Sequence, residues 1–79
     1  GDVYKRQALS RALFALDAGA SLDDAQAQLA SSPGITVDYL TVVDPATLEP
    51  VDAQHRPALA LVAAQVGPVR LIDNLVLEA

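Results

Sequence analysis

A carboxylate and an amide stand side by side within the most apolar part of this chain: Asp73 and Asn74 interrupt the run Leu71-Ile72 and Leu75-Val76-Leu77. Asp and Asn are disfavoured in strands, so their presence there needs a reason. Strand alternation puts Asp73 on the face of Leu71, Leu75 and Leu77, and Asn74 on the face of Arg70, Ile72, Val76 and Glu78. A carboxylate among leucines must find hydrogen-bond donors or lie at a sheet edge. Two roles are open to Asp73. It is a catalytic acid or ligand, or it accepts backbone N–H groups or meets another domain. No second catalytic group stands beside it in sequence, which favours the structural role.

The other reactive side chains are sparse. His55 is the single histidine, between Gln54 and Arg56. General-base work needs a positioned carboxylate or nucleophile, and Asp52 is only a loop neighbour. A solvated loop histidine accounts for it, and one histidine with loop acids is a poor metal site. Arg70 is suited to a phosphate or to pairing with Asp38 across a sheet, the ordinary use of such a pair. Asp23 and Asp24 suit the first turn of a helix, where the dipole favours negative charge, without any metal. Ser10 and Ser21 have no partner base and are not nucleophiles. The chain has no P-loop, no glycine-rich phosphate fingerprint and no His-Glu-x-x-His. No catalytic, cofactor-binding or metal-ligating residue is assigned from these residues.

The elements that carry these side chains follow from periodicity. Leu9, Ala12, Leu13 and Leu16 share one face of a helix over residues 7–18, which Gly19 ends. Ser21 is placed to cap a second helix bearing Leu22, Ala25 and Leu29, and Ser31-Ser32-Pro33-Gly34 stops it. A joint this short predicts an antiparallel or sharply angled helix pair. Residues 35–43 read as a strand, with Ile35, Val37 and Tyr39 alternating with Thr36 and Asp38. Asp44-Pro45 opens a turn, with a single helical turn over residues 45–48, and residues 49–57 form a polar, proline-punctuated crossing. Residues 58–66 and 69–78 are apolar strands separated by Gly67-Pro68, the pattern of a hairpin. The predicted fold is α+β: two N-terminal helices packed on a three-stranded antiparallel sheet, in the order α-α-β-β-β.

Composition bounds the rest. A chain of 79 residues makes one small domain, and with no cysteine it has neither disulfides nor thiolate chemistry. The net charge is −5, and Lys5, Arg6, Arg11, Arg56 and Arg70 form no basic stripe. That argues against nucleic acid as a partner. No apolar run approaches the ~20 residues that span a bilayer, so no membrane role is expected. Residues 1–7 carry two of the five basic residues, show little periodicity and stay unassigned. A foreign leader, a cloning remnant or a sequence-end artefact would look alike here. Apolar residues make up 52% of the chain, and several strands are apolar on both faces. A tightly packed Ala/Val/Leu domain is one explanation. A surface meant to meet another domain is the other.

The order of segments adds a resemblance. Pro33-Gly34-Ile35-Thr36-Val37-Asp38-Tyr39-Leu40 is followed by Val43-Asp44-Pro45 and by Thr47-Leu48-Glu49-Pro50-Val51. Then come Ala58-Leu59-Ala60-Leu61-Val62-Ala63-Ala64-Gln65-Val66-Gly67 and Arg70-Leu71-Ile72-Asp73-Asn74. This ordered set resembles the closing part of the pantothenate synthetases (pantoate–β-alanine ligases), and the helix segment Ala8 to Leu13 fits it too. The resemblance covers residues 8–78.

It implies that residues 8–79 are the C-terminal lid domain of an ATP-dependent ligase. That enzyme forms a pantoyl-adenylate, releases pyrophosphate, and joins β-alanine to give pantothenate and AMP. It implies a cytoplasmic homodimer using ATP and Mg2+ when full length. It also implies an N-terminal Rossmann-like domain as this segment's partner. The family's His-x-Gly-His and Ser-Ser-Arg-Asn motifs are not in this chain, so no catalytic residue is carried over. The segment alone is expected to be inactive and to bind neither ATP nor metal. The competing reading is a stand-alone α+β interaction or ligand-sensing module.

Overall fold

The computed structural model describes residues 2–79. Two helices, α1 (Asp2–Asp17) and α2 (Leu22–Ala30), precede three strands, β1 (Thr36–Val43), β2 (Ala58–Val66) and β3 (Val69–Leu77). The strands form one antiparallel sheet in the order β1-β2-β3. The α-α-β-β-β architecture read from the sequence is therefore the observed fold.

Helix α1 starts five residues earlier than its apolar stripe predicts, so most of the unassigned leader is helical. Lys5, Arg6 and Gln7 are good helix formers, and no proline or glycine interrupts them. Periodicity missed this turn because Val3 and Tyr4 face solvent. The stripe itself is as expected: Leu9, Ala12, Leu13 and Leu16 are all buried. Gly19 ends the helix with φ +103°. The N–H of Ala20 reaches the carbonyl of Ala15 at 2.9 Å, and that of Gly19 reaches Leu16 at 3.1 Å. This paired closure is the Schellman arrangement that favours glycine. Ser21 caps α2 by accepting the Asp24 N–H at 3.1 Å. Asp23 and Asp24 sit in its first turn.

The helices cover one face of the sheet. On that face Leu40, Val42, Ala58, Ala60, Val62, Ala64, Val66, Leu71 and Leu77 join the helix stripe in a single core. Small alanines on β2 let the helix layer approach the central strand closely. Val43 and Ala63 are buried but belong to the other face, outside that core. The register puts Tyr39 beside Ala63 and Ile72, and Val43 beside Leu59 and Val76. A β-bulge between Val37 and Tyr39 leaves Asp38 as the extra residue. Gly67, at φ +57°, and Pro68 join β2 to β3. A positive φ followed by proline fits a type II′ hairpin turn, since proline cannot adopt the second positive φ of type I′.

No helix among the described residues is long and apolar enough to cross a membrane.

Candidate functional site

The crossing from β1 to β2 is rich in polar side chains, and those that form hydrogen bonds there serve the fold. Asp44 accepts the N–H groups of Ala46 at 2.8 Å and Thr47 at 3.1 Å, closing the turn predicted there. Those two bonds, Thr47 first, hold its carboxyl below the usual carboxylate range, and the nearby His55 adds to the effect. His55 Nε2 lies 3.9 Å from Asp44 Oδ2 in an exposed setting. The partner is Asp44, and the sequence neighbour Asp52 instead accepts the Gln54 N–H at 2.8 Å. The hydroxyl beside Asp44, that of Thr47, accepts the Glu49 N–H at 3.3 Å and serves the same turn, so the group reads as turn structure.

A folded-state pKa below the unfolded value stabilises the fold at pH values above the latter, about 3.9 for Asp. That contribution is lost as pH falls through the lower, folded value. Urea-unfolding midpoints of the wild type and Asp44→Ala should differ at pH 7, and the gap should narrow as pH falls below the ordinary Asp value of about 3.9.

Two residues of this crossing have roles that no local pattern announces. Arg56 donates to the carbonyls of Ala53 at 2.7 Å, His55 at 2.8 Å and Leu16 at 2.9 Å. Leu16 lies in the last turn of α1, where its carbonyl also takes the Gly19 N–H and a cation is favoured. Gln54 Nε2 donates to Gly19 O at 2.9 Å. Together they tie the loop to the α1–α2 joint. Arg56→Ala should cost about 1–2 kcal/mol, because it removes charge-assisted bonds to partly buried carbonyls. Chemical denaturation of the variant checks this, with Arg56→Lys recovering only part of the loss.

On β3 the structure separates the two candidate residues as alternation predicts. Asp73 is half-buried on the helix side, while Asn74 is exposed on the other. Asp73 Oδ1 accepts the Asn74 N–H at 2.8 Å, and Oδ2 faces the Ser10 hydroxyl at 3.4 Å. A shallow cleft of about 170 Å³ lies there, lined by Ser10, Leu13, Phe14, Asp73, Asn74 and Leu75. It contains no base, no cation and no second carboxylate. Arg70 pairs with Asp38, its Nε 3.0 Å from Oδ2. The pair spans β2, because the bulge carries Asp38 outward on β1. Among the described residues no three His, Cys, Asp or Glu groups gather to hold a metal ion.

The feature with functional content is the sheet face that no helix covers. Tyr39, Leu59, Leu61, Ile72 and Val76 lie on it together, with Ile72 58% and Val76 57% exposed. Thr41, Gln65, Asn74 and the Arg70–Asp38 pair border them. Apolar side chains bordered by polar ones are the usual make-up of protein contact surfaces.

The sequence profile of the pantoate-beta-alanine ligase family matches residues 4–76. This chain belongs to that family. The pantothenate synthetase of Koribacter versatilis is 56% identical over 54 residues, covering 68% of this chain and 19% of the relative. That of Acidobacterium capsulatum is 47% identical, covering 87% of this chain and 26% of the relative. The crystal structure of pantoate-beta-alanine ligase (pantothenate synthetase) from Thermus thermophilus superposes with a TM-score of 0.78 at 34% identity. That match covers 91% of this chain and 29% of the Thermus chain. The matched part of the chain thus spans 19–29% of the length of these family members. The profile match begins at Tyr4, inside the segment that periodicity left unassigned.

Proposed function

We propose that this chain is the C-terminal lid domain of an ATP-dependent pantoate–β-alanine ligase, and that its open sheet face closes against the nucleotide-handling body. The carrying observation is the uncovered patch of Tyr39, Leu59, Leu61, Ile72 and Val76 in a family whose members are several times longer than this chain. ATP, Mg2+, pantoate and β-alanine belong, on this reading, to the part of the enzyme the chain does not span. The chain supplies no catalytic group. Asp44, Ser21, Arg56, Gln54 and the Arg70–Asp38 pair are engaged in turns, caps, loop ties and a cross-strand pair. Closure over a reactive acyl-adenylate would keep water from it until the amine of β-alanine attacks. The whole enzyme is then a cytoplasmic homodimer of pantothenate biosynthesis, with the Rossmann-like half as this domain's partner.

A chimera tests the proposal. In it, residues 8–79 replace the matching segment of the Thermus thermophilus pantothenate synthetase. The chimera should make pantothenate from pantoate and β-alanine with ATP, and the same enzyme lacking the segment should not. Calorimetric titration of the 79-residue chain alone with ATP should give no binding heat. Micromolar ATP binding to the chain would overturn its assignment as a non-catalytic lid.

A further inference from the structure

Strand β3 is an edge strand, and its outward backbone groups can be identified. In a two-residue hairpin the residues flanking the turn exchange both backbone hydrogen bonds, and bonded pairs then alternate. Val66 faces Val69 across Gly67-Pro68, so Leu71, Asp73, Leu75 and Leu77 direct their backbone groups to β2. Arg70, Ile72, Asn74 and Val76 direct theirs away from the sheet. Such a row of free N–H and C=O groups is a template for another strand.

One of those outward donors is already taken. The Asn74 N–H donates to Asp73 Oδ1 at 2.8 Å, within the same strand. The other carboxylate oxygen faces Ser10 on α1 at 3.4 Å, which holds the side chain against the helix layer. Asp73 is also the midpoint of Val69–Leu77. If two copies of β3 paired antiparallel in the register that uses the whole strand, Asn74 would bond Ile72 of the second copy. Asp73 would stand directly opposite Asp73 of that copy, at a non-hydrogen-bonded position where side chains come closest. Like charges directly opposite are destabilising.

We propose that Asp73 guards the β3 edge, and that the partner it excludes is a second copy of this chain adding strand to strand. It does so by occupying the Asn74 N–H and by placing a carboxylate at the centre of the self-paired register. This accounts for an aspartate inside an apolar strand without assigning it chemistry, and it does not depend on the ligase reading.

Amide hydrogen exchange and sedimentation of the full 79-residue chain test it together. In the wild type at low concentration, the Asn74 amide should exchange at least tenfold more slowly than those of Ile72 and Val76. Asp73→Ala should bring Asn74 to its neighbours' rate and tighten self-association by about tenfold or more. The Ile72 and Asn74 amides should then become protected as concentration rises. Asp73→Asn, which removes charge but keeps an acceptor oxygen, should associate to an intermediate degree. Association through the open sheet face would leave these edge amides unprotected, so the two contacts are distinguishable. The guard role is overturned if Asn74 exchanges as fast as Ile72 in the wild type. It is equally overturned if Asp73→Ala associates no more tightly than the wild type.

Discussion

Lysine at both Leu61 and Ile72 in the Thermus chimera is expected to lower pantothenate formation by about 30-fold or more, the effect of losing ~2 kcal/mol at an interface centre. Leu61 and Ile72 lie on the open sheet face, neither of them in the helix-side core. In the 79-residue chain by itself Ile72→Lys should move stability by only about 0.5 kcal/mol, the ordinary range for surface positions, while Leu61→Lys, at a half-buried site on the central strand, should cost more. Two charges driven into an apolar contact would hold the domain away from its body. The failure should have a particular chemical form. An adenylate left open to water is hydrolysed, so AMP release should persist while pantothenate falls, and the ratio of AMP to pantothenate should rise. Equal loss of both products would point to damage elsewhere. The same substitutions should also reduce self-association of the isolated chain, whose wild-type form is expected to be poorly soluble through this uncovered face.

The second large effect concerns the fold. Leu16→Ala should destabilise the domain by about 3 kcal/mol, the middle of the range for a fully buried leucine. Leu16 is 0% exposed and lies in the single core shared by the helices and the sheet. A domain of this size has only about 4–12 kcal/mol in total at 0.05–0.15 kcal/mol per residue. The change should therefore lower the melting temperature by about 12–24 °C. Phe14→Ala, two residues away but exposed on the same helix, should stay within about 0.5 kcal/mol of the wild type. Thermal unfolding followed by circular dichroism separates the two.

Much of this architecture was legible because local chemistry and global packing agree. The Leu9, Ala12, Leu13 and Leu16 stripe, Gly19 and Ser21 define the helix pair by periodicity and capping alone. The β2 bounds are those given by its apolar run, because Gly67-Pro68 permits little else. The Asp38–Arg70 pair was also foreseeable from complementary charge, although the two residues lie on strands that are not neighbours.

What was hidden depends on contacts made at a distance. The bulge at Asp38 exists only relative to β2, and no property of β1 alone announces it. Arg56 reads as a loop cation until the end of α1 is placed beside it. The early start of α1 carries no amphipathic signal, since Val3 and Tyr4 are exposed. At Asp73 the sequence left two roles open. The observed bond to Asn74 comes from the strand's position at the sheet edge, which a strand pattern does not specify. The open sheet face is a middle case. Strands apolar on both sides indicated surplus surface, but only the register shows that Leu59, Leu61, Ile72 and Val76 gather on one face.

Hydroxyl-radical footprinting reads the coverage of that face directly. Oxidation at Tyr39, Leu61, Ile72 and Val76 is compared between the 79-residue chain and the chimeric ligase saturated with ATP and pantoate, with exposed Phe14 as the reference. The lid account predicts that oxidation of the four sheet residues falls severalfold in the ligase while Phe14 is unchanged. Equal oxidation of the four in both proteins would contradict it.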